Sequence, residues 1–167
     1  MNIKRVFKHW LYPQWLTRRA FSDAAMSRIE SVVAKSELLH RGEIRFAVEG
    51  ALDTAPLLRG VSARQRAMQI FAELGVWDTE ANNGVLIYLL LADRDVEIIV
   101  DRGYQGRVSL AQWEAICQEM ENYFARGEFE VGVLHGIARI DLLLRQHFPL
   151  QNGAVNVNEL PNRPLRF

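Results

Sequence analysis

Residues 82–106, NNGVLIYLLLADRDVEIIVDRGYQG, decide how the chain reads. Within them residues 85–92 form an unbroken apolar run, closed off by Asn82, Asn83 and Gly84 on one side and Asp93, Arg94 and Asp95 on the other. A run this short with no polar face predicts a strand covered on both sides. From Val96 the pattern changes to alternation, with Val96, Ile98 and Val100 on one side and Glu97, Ile99 and Asp101 on the other, as in a strand with one wetter face. Only Asp93, Arg94 and Asp95 separate the two runs, so they predict a tight antiparallel hairpin. The hairpin's open end then brings Asn82 and Asn83 close to Asp101, Arg102 and the glycine-flanked turn 103–106.

The rest of the chain builds around that hairpin. Ser22 and Asp23 open a helix whose apolar positions Phe21, Ala25, Ile29, Val32 and Val33 recur at helical spacing to about Leu39. In residues 43–49, Ile44, Phe46 and Val48 alternate with Glu43, Arg45, Ala47 and Glu49, which predicts a strand with one covered face. Residues 50–61, with Gly50, Pro56 and Gly60, read as a loop, and Ser62 to Gln65 match the capping box of a helix stopped by Gly75. Strand, crossover helix and central strand make a right-handed βαβ unit. A second capping box at Ser109 and Gln112 opens a helix with Trp113, Ile116, Met120, Tyr123 and Phe124 inward, and a last helix runs from about Glu130 to His147. Residues 150–167, with four Asn and two Pro and no periodicity, read as an unstructured tail. The sum is an α/β fold, a three-layer α/β/α sandwich with a small mixed sheet in the order α-β-α-β-β-α-α. Its parts are a basic, aromatic arm (1–20), the domain (21–149) and the tail (150–167).

At 167 residues the chain can bury a real core, and its 20 basic and 20 acidic residues cancel, which gives no overall pull towards nucleic acid. One cysteine, Cys117, excludes an internal disulfide and suits a reducing compartment. No apolar run is long enough to span a membrane and no secretory signal is visible, so a cytoplasmic protein is the simplest expectation. Residues 2–19 stand apart: Lys4, Arg5, Lys8, Arg18 and Arg19 mix with Ile3, Val6, Phe7, Trp10, Leu11, Trp15 and Leu16, with no acid among them. That composition fits either an arm packed on the domain or a peripheral contact with the anionic inner face of a membrane through residues 3–19.

The common nucleophile, zinc, Walker and dinucleotide motifs are absent, and Cys117 falls on a core stripe, so chemistry would have to come from carboxylates, amides and arginines. Parallel pairing of the first two strands gathers such groups at one sheet edge. There Glu43, Glu80 and Asp101 are candidate cation ligands, with Asn82 and Asn83 as supplementary oxygen donors. Asp101, Arg102 and Asn83 are the candidate catalytic groups, and Arg102 with the helix start at Ser109 the candidate anion contacts. A divalent cation, Ca²⁺ or Mg²⁺, beside an anion site is a combination used in phosphate-ester hydrolysis, and no organic cofactor is expected. The same residue types also form ordinary turns and caps. The opposite edge, with Asp53, Asp93, Arg94 and Asp95, ranks second: ligands favour the carboxyl ends of parallel strands, but Asp93–Asp95 reads as a solvated hairpin tip.

These stretches resemble the TPM domain. The similarity runs through Gly42-Glu43-Ile44, residues 71–76 (FAELGV), residues 83–87 (NGVLI), Asp93-Arg94, the glycine turn after Val100, and Phe129 with Gly132 before a long helix. The resemblance implies an α/β sandwich. It also implies the properties credited to some members, acid phosphatase activity and divalent metal binding, and for others a role in serving membrane complexes. The usual Gly-aromatic-Gly-Leu-Glu turn of relatives is replaced here by Gly103-Tyr104-Gln105-Gly106, without the Glu. Two functions follow as expectations. One is a metal-dependent phosphatase acting on a phosphate-containing small molecule or protein. The other is a non-catalytic, metal-binding adaptor or assembly factor for a membrane-associated partner, which should expose Trp10 and Trp15 beside the basic residues.

Overall fold

In a computed structural model that describes residues 3–151 and 156–167, the expected hairpin forms, with its first strand inside the sheet and its second at one edge. The strands are β1 (Glu43–Glu49), β2 (Gly84–Leu90), β3 (Asp95–Val100) and a short β4 (Leu165–Arg166), in the spatial order β3-β2-β1-β4. β1 and β2 run parallel with Glu43 opposite Gly84, and β2 and β3 run antiparallel with Val85 opposite Val100. Every residue of β2 is buried, as its unbroken apolar run requires.

Helices cover both faces. The even-numbered positions of β1, Ile44, Phe46 and Val48, join Val85, Ile87 and Leu89 of β2 and Val96 and Ile98 of β3 in one core. That core is closed by α3 (Asp23–Ser36), α6 (Leu110–Ala125) and α7 (Phe129–His147). On the other face Ala47, Leu86, Tyr88, Leu90 and Ile99 pack under α5 (Ala63–Glu73), the crossover helix. Both expected capping boxes are present: Ser62 and Gln65 start α5, and Ser109 and Gln112 start α6.

Three stretches carry more structure than their sequence pattern predicts. The arm is two helices, α1 (Ile3–Trp10) and α2 (Gln14–Ala20), joined across Tyr12 and Pro13, and Val6 and His9 of α1 are buried against the domain. The loop between β1 and α5 contains a short helix, α4 (Thr54–Leu58), which packs on α1. The third is the tail, which crosses back over the molecule. Leu160 enters the α5-side core, and β4 pairs parallel with Ala47 and Val48 of β1, with Phe167 N–H donating to Val48 C=O at 2.9 Å. Residues 152–155 of that stretch lie outside the described residues. β1 is buried along its whole length, where alternation predicted one wet face, because the tail lies over Glu43 and the α5-side core covers Ala47.

Candidate functional site

The amino edge of the sheet assembles most of the residues expected there. Parallel register sets Glu43 beside Gly84, and Asp101 N–H donates to Gly84 C=O at 3.0 Å, so Glu43, Asn83 and Asp101 are neighbours across three strands. Asn83 is the hub. Its main-chain carbonyl accepts from Glu43 N–H at 3.3 Å and from the buried Tyr104 hydroxyl at 2.7 Å, and its side-chain amide donates to Arg41 C=O at 2.6 Å. Arg102 Nε donates to Asn82 Oδ1 at 2.7 Å, and Arg102 N–H donates to Asp101 Oδ1 at 2.7 Å. Glu80 is apart from this group. Its side chain is exposed, and its N–H donates to Glu159 Oε2 at 2.9 Å, so it meets the edge only through the tail.

Glu43 is wholly buried, and its carboxylate accepts Glu159 N–H at 3.3 Å and Leu160 N–H at 3.2 Å. Burial pushes this carboxyl up to about 7 even though the two amides favour its charged form. Glu37, at the end of α3, is its buried neighbour and accepts Ile44 N–H at 3.0 Å. Burial drives the Glu37 carboxyl up to about 8 against that bond, and the charge of Glu43 adds to the rise. Arg45 lies buried near this pair, and burial lowers its guanidinium from the ordinary value.

A divalent cation asks for six or more oxygen ligands. Of the five groups proposed as ligands, Glu43 is occupied by tail amides, Asn82 by Arg102, and Glu80 is exposed. Asn83 Oδ1 and Asp101 Oδ2 are the buried oxygens of these five groups without a hydrogen-bond partner, too few for such a shell. Among the described residues no three His, Cys, Asp or Glu side chains converge on one point. The residues present therefore do not fit a protein-built cation site. The anion contacts fare similarly. The glycine turn is packed rather than open, since a Cβ on Gly103 would collide with the carbonyl oxygens of Asn82 and Ala81. At the start of α6, Gln112 N–H is taken by Ser109 Oγ and Ser109 N–H by Gln112 Oε1.

A buried Ser36–His40–Asp141 group beside this edge had no signature in the sequence. Ser36 Oγ lies 2.8 Å from His40 Nε2 and donates to Asp141 Oδ1 at 2.9 Å. The residue types are those of a hydrolytic triad, but the proton is on the wrong atom. His40 Nδ1 accepts Gly42 N–H at 3.1 Å, so neutral His40 carries its proton on Nε2, directed at Ser36, and cannot take one from it. Burial lowers the imidazole to about 4, against the pull of Asp141, which keeps it neutral. The group braces α3 against α7.

At the opposite edge the four second-ranked residues point into different surroundings. Asp93 is held by the arm rather than solvated: Arg5 Nε donates to Asp93 Oδ2 at 2.8 Å, His9 Nε2 lies 3.0 Å from Oδ1, and Lys8 Nζ lies 3.9 Å away. Arg94 is exposed at the tip with a left-handed backbone (φ 56°). Asp53 is exposed and lines a pocket of about 510 Å³ with Trp10, Thr17, Glu49, Arg66 and Phe167. Asp95 faces a separate groove beside α6.

The sequence pattern of the TPM domain matches residues 17–142. The chain belongs to the TPM domain family. Solved structures of similar fold include the BA42 protein of the psychrophilic bacterium Bizionia argentinensis, 26% identical, covering 88% of this chain and 95% of that one with a TM-score of 0.76. The N-terminal domain of a P. gingivalis protein is 17% identical over 78% of this chain and 82% of its own (TM-score 0.63). That of cg2496 from Corynebacterium glutamicum is 10% identical over 82% and 78% (TM-score 0.56). The latter two show the shared fold alone. No curated protein matches this chain. The TPM match ends before the tail, so the segment that covers Glu43 lies outside the part shared with the family pattern.

The arm is the remaining feature. On α1, Val6 and His9 face the domain, while Ile3, Phe7, Trp10 and Leu11, spaced i, i+4, i+7 and i+8, face outward. Ile3, Phe7, Trp10 and Trp15 are each more than half exposed, and Leu11 is 77% exposed. Lys4, Lys8, Arg18 and Arg19 are exposed among them. No helix of the described residues is long and apolar enough to cross a membrane.

Proposed function

We propose that this TPM domain is a non-catalytic adaptor that lies on an anionic membrane surface through its N-terminal arm and presents the α/β domain to a membrane-associated partner. One observation carries this reading. The arm turns its apolar stripe, Ile3, Phe7, Trp10 and Leu11, away from the core and keeps Lys4 and Lys8 beside it. An arm that served only to close the domain would bury its tryptophans. An outward apolar stripe beside lysines has the form of an interfacial helix, its rings entering the headgroup boundary while the cations meet lipid phosphate. Each lysine or arginine near such a surface contributes about 1 kcal/mol, and the attraction is screened by salt. The clamp on Asp93 fixes the helix orientation in advance, so little ordering is left to occur on binding. Co-sedimentation with phosphatidylserine vesicles tests it: the protein should pellet at low salt, and Phe7→Ser with Leu11→Ser should leave it in the supernatant.

A second reading, phosphate-ester hydrolysis at the amino edge, is favoured by the bare buried oxygens of Asn83 and Asp101. Hydrolysis of p-nitrophenyl phosphate with and without Ca²⁺, Mg²⁺ or Mn²⁺ distinguishes it. Turnover that Asp101→Ala abolishes supports this reading; turnover unchanged in Asp101→Ala removes the site.

A further inference from the structure

The groove beside β3 belongs neither to the arm nor to the amino edge. β3 is the outer strand of the sheet. Asp101 N–H donates to Gly84 C=O, so the antiparallel ladder alternates from there: Ile99, Glu97 and Asp95 exchange hydrogen bonds with β2. The main-chain N–H and C=O groups of Val96, Ile98 and Val100 must then face away from the sheet. Among the described residues no main-chain group meets them, and Ile98 N–H has only the sulfur of Cys117, a weak acceptor. Val96 and Ile98 of this edge line a groove of about 490 Å³ between α6 and Arg64 of α5, and Val100 continues the edge beyond it.

The walls are acidic. Asp95 and Glu97 on the strand and Glu114 and Glu121 on α6 line the groove, against Arg64 alone, whose Nη1 lies 2.9 Å from Glu97 Oε2. Burial, then the charges of Glu97, Glu121 and Asp93, raise the Asp95 carboxyl to about 6 against the pull of Arg5, so the acids of this groove outweigh the cations near them. Strand addition to a second copy of this chain would set Asp95 and Glu97 against their own kind, which is unfavourable. A strand carrying lysine or arginine would relieve the repulsion and satisfy the open main-chain groups together.

We infer that the β3–α6 groove binds an extended, basic peptide segment of a protein partner, which adds to the sheet as a further strand beside Val96, Ile98 and Val100. Main-chain hydrogen bonds would supply register, and alternate side chains would meet Glu97 on one side of the sheet and Glu121 on the other. The inference gives the proposed adaptor its partner and rests on that reading for its purpose. Its residues are separate from the arm, so vesicle binding and peptide binding succeed or fail independently.

The test is titration of the full chain, ¹⁵N-labelled, with a short alternating lysine–valine peptide in the absence of lipid. The expected result is saturable shifts and slowed exchange at the amides of Val96 and Val100, with affinity roughly tenfold weaker in Glu114→Lys/Glu121→Lys, two exposed positions on α6. A lysine–proline peptide of equal charge, which lacks half the main-chain donors, should bind at least about tenfold more weakly. Equal binding of the two peptides would reduce the groove to a charge contact and overturn strand addition. No shift at these amides overturns the proposal. Slowed exchange at the same amides in a peptide-free dimer overturns it in favour of a second copy.

Discussion

His9 and Asp93, 84 residues apart in sequence, meet with His9 Nε2 3.0 Å from Asp93 Oδ1. His9 Nδ1 accepts Leu52 N–H at 3.0 Å, so neutral His9 holds its proton on Nε2, towards the carboxylate. With Arg5 on the second oxygen, the hairpin tip fastens the arm to the domain. The outward direction of Phe7 and Trp10 follows from this attachment, because positions 5, 6 and 9 define the inner face of α1.

Replacing Asp93 by alanine leaves a buried imidazole without its acceptor and Arg5 without its carboxylate. A loss of about 1–3 kcal/mol is expected, lowering Tm by several degrees in a domain of this size. Burial opposes ionisation of Asp93, but the hydrogen bonds from Arg5 and His9 prevail and hold its carboxyl below the ordinary value. The stability it contributes is therefore present above the unfolded carboxyl value and is lost as pH falls through the folded one. Thermal denaturation of wild type and Asp93→Ala at neutral pH, and again in acid, should show their difference shrinking in acid.

The pair Glu37 and Glu43 gives the opposite slope. Both are raised in the fold, to about 8 and about 7, so the folded chain holds protons that the unfolded chain has released. Their contribution is fully present below the unfolded value near 4.5 and is lost as pH rises through 7 and 8. His40, lowered to about 4, acts only below its unfolded value near 6.5, where it makes stability fall with acid. Between pH 6.5 and 8 the decline in Tm should come mainly from Glu37, and Glu37→Gln should flatten it. A Tm that stays level over this window in wild type would contradict the burial of an ionising Glu37.

Gly84→Ala should be severely destabilising. The new Cβ would run into the main-chain carbonyl of Val76 at the entry to β2, where neither backbone has room to give. Overpacking of this kind costs about 1–3 kcal/mol or more, and the denaturant midpoint of the variant measures it. Gly106, with φ 73° and open space around it, should tolerate Ala with only the modest strain of its left-handed backbone.

The sequence shows plainly what local pattern determines. The run 85–92 could only be an interior strand, alternation after it marked the hairpin partner, and Ser109 with Gln112 marked the start of α6. What stayed hidden depended on distant chain. β4 is two residues long and exists because β1 has an open edge beside it, so no periodicity announces it. Glu43 alternates like a solvent-facing residue, and only the return of Glu159 and Leu160 buries it. Asp93 has the turn chemistry of a solvated tip whether or not an arm reaches it. The composition of residues 2–19 marked a basic, apolar arm but not the direction of Phe7 and Trp10, which is set by His9 and Arg5 meeting Asp93.

Contact between the arm's exposed aromatics and anionic lipid can be read from tryptophan fluorescence. The full chain is titrated at low salt with vesicles of phosphatidylserine and phosphatidylcholine, and with phosphatidylcholine alone. Entry of Trp10 and Trp15 into the headgroup boundary should shift the emission to the blue with the anionic vesicles only, and added salt should reverse the shift as charges separated beyond about 10 Å are screened. Emission that does not change with anionic vesicles at low salt would rule out the membrane contact of the arm.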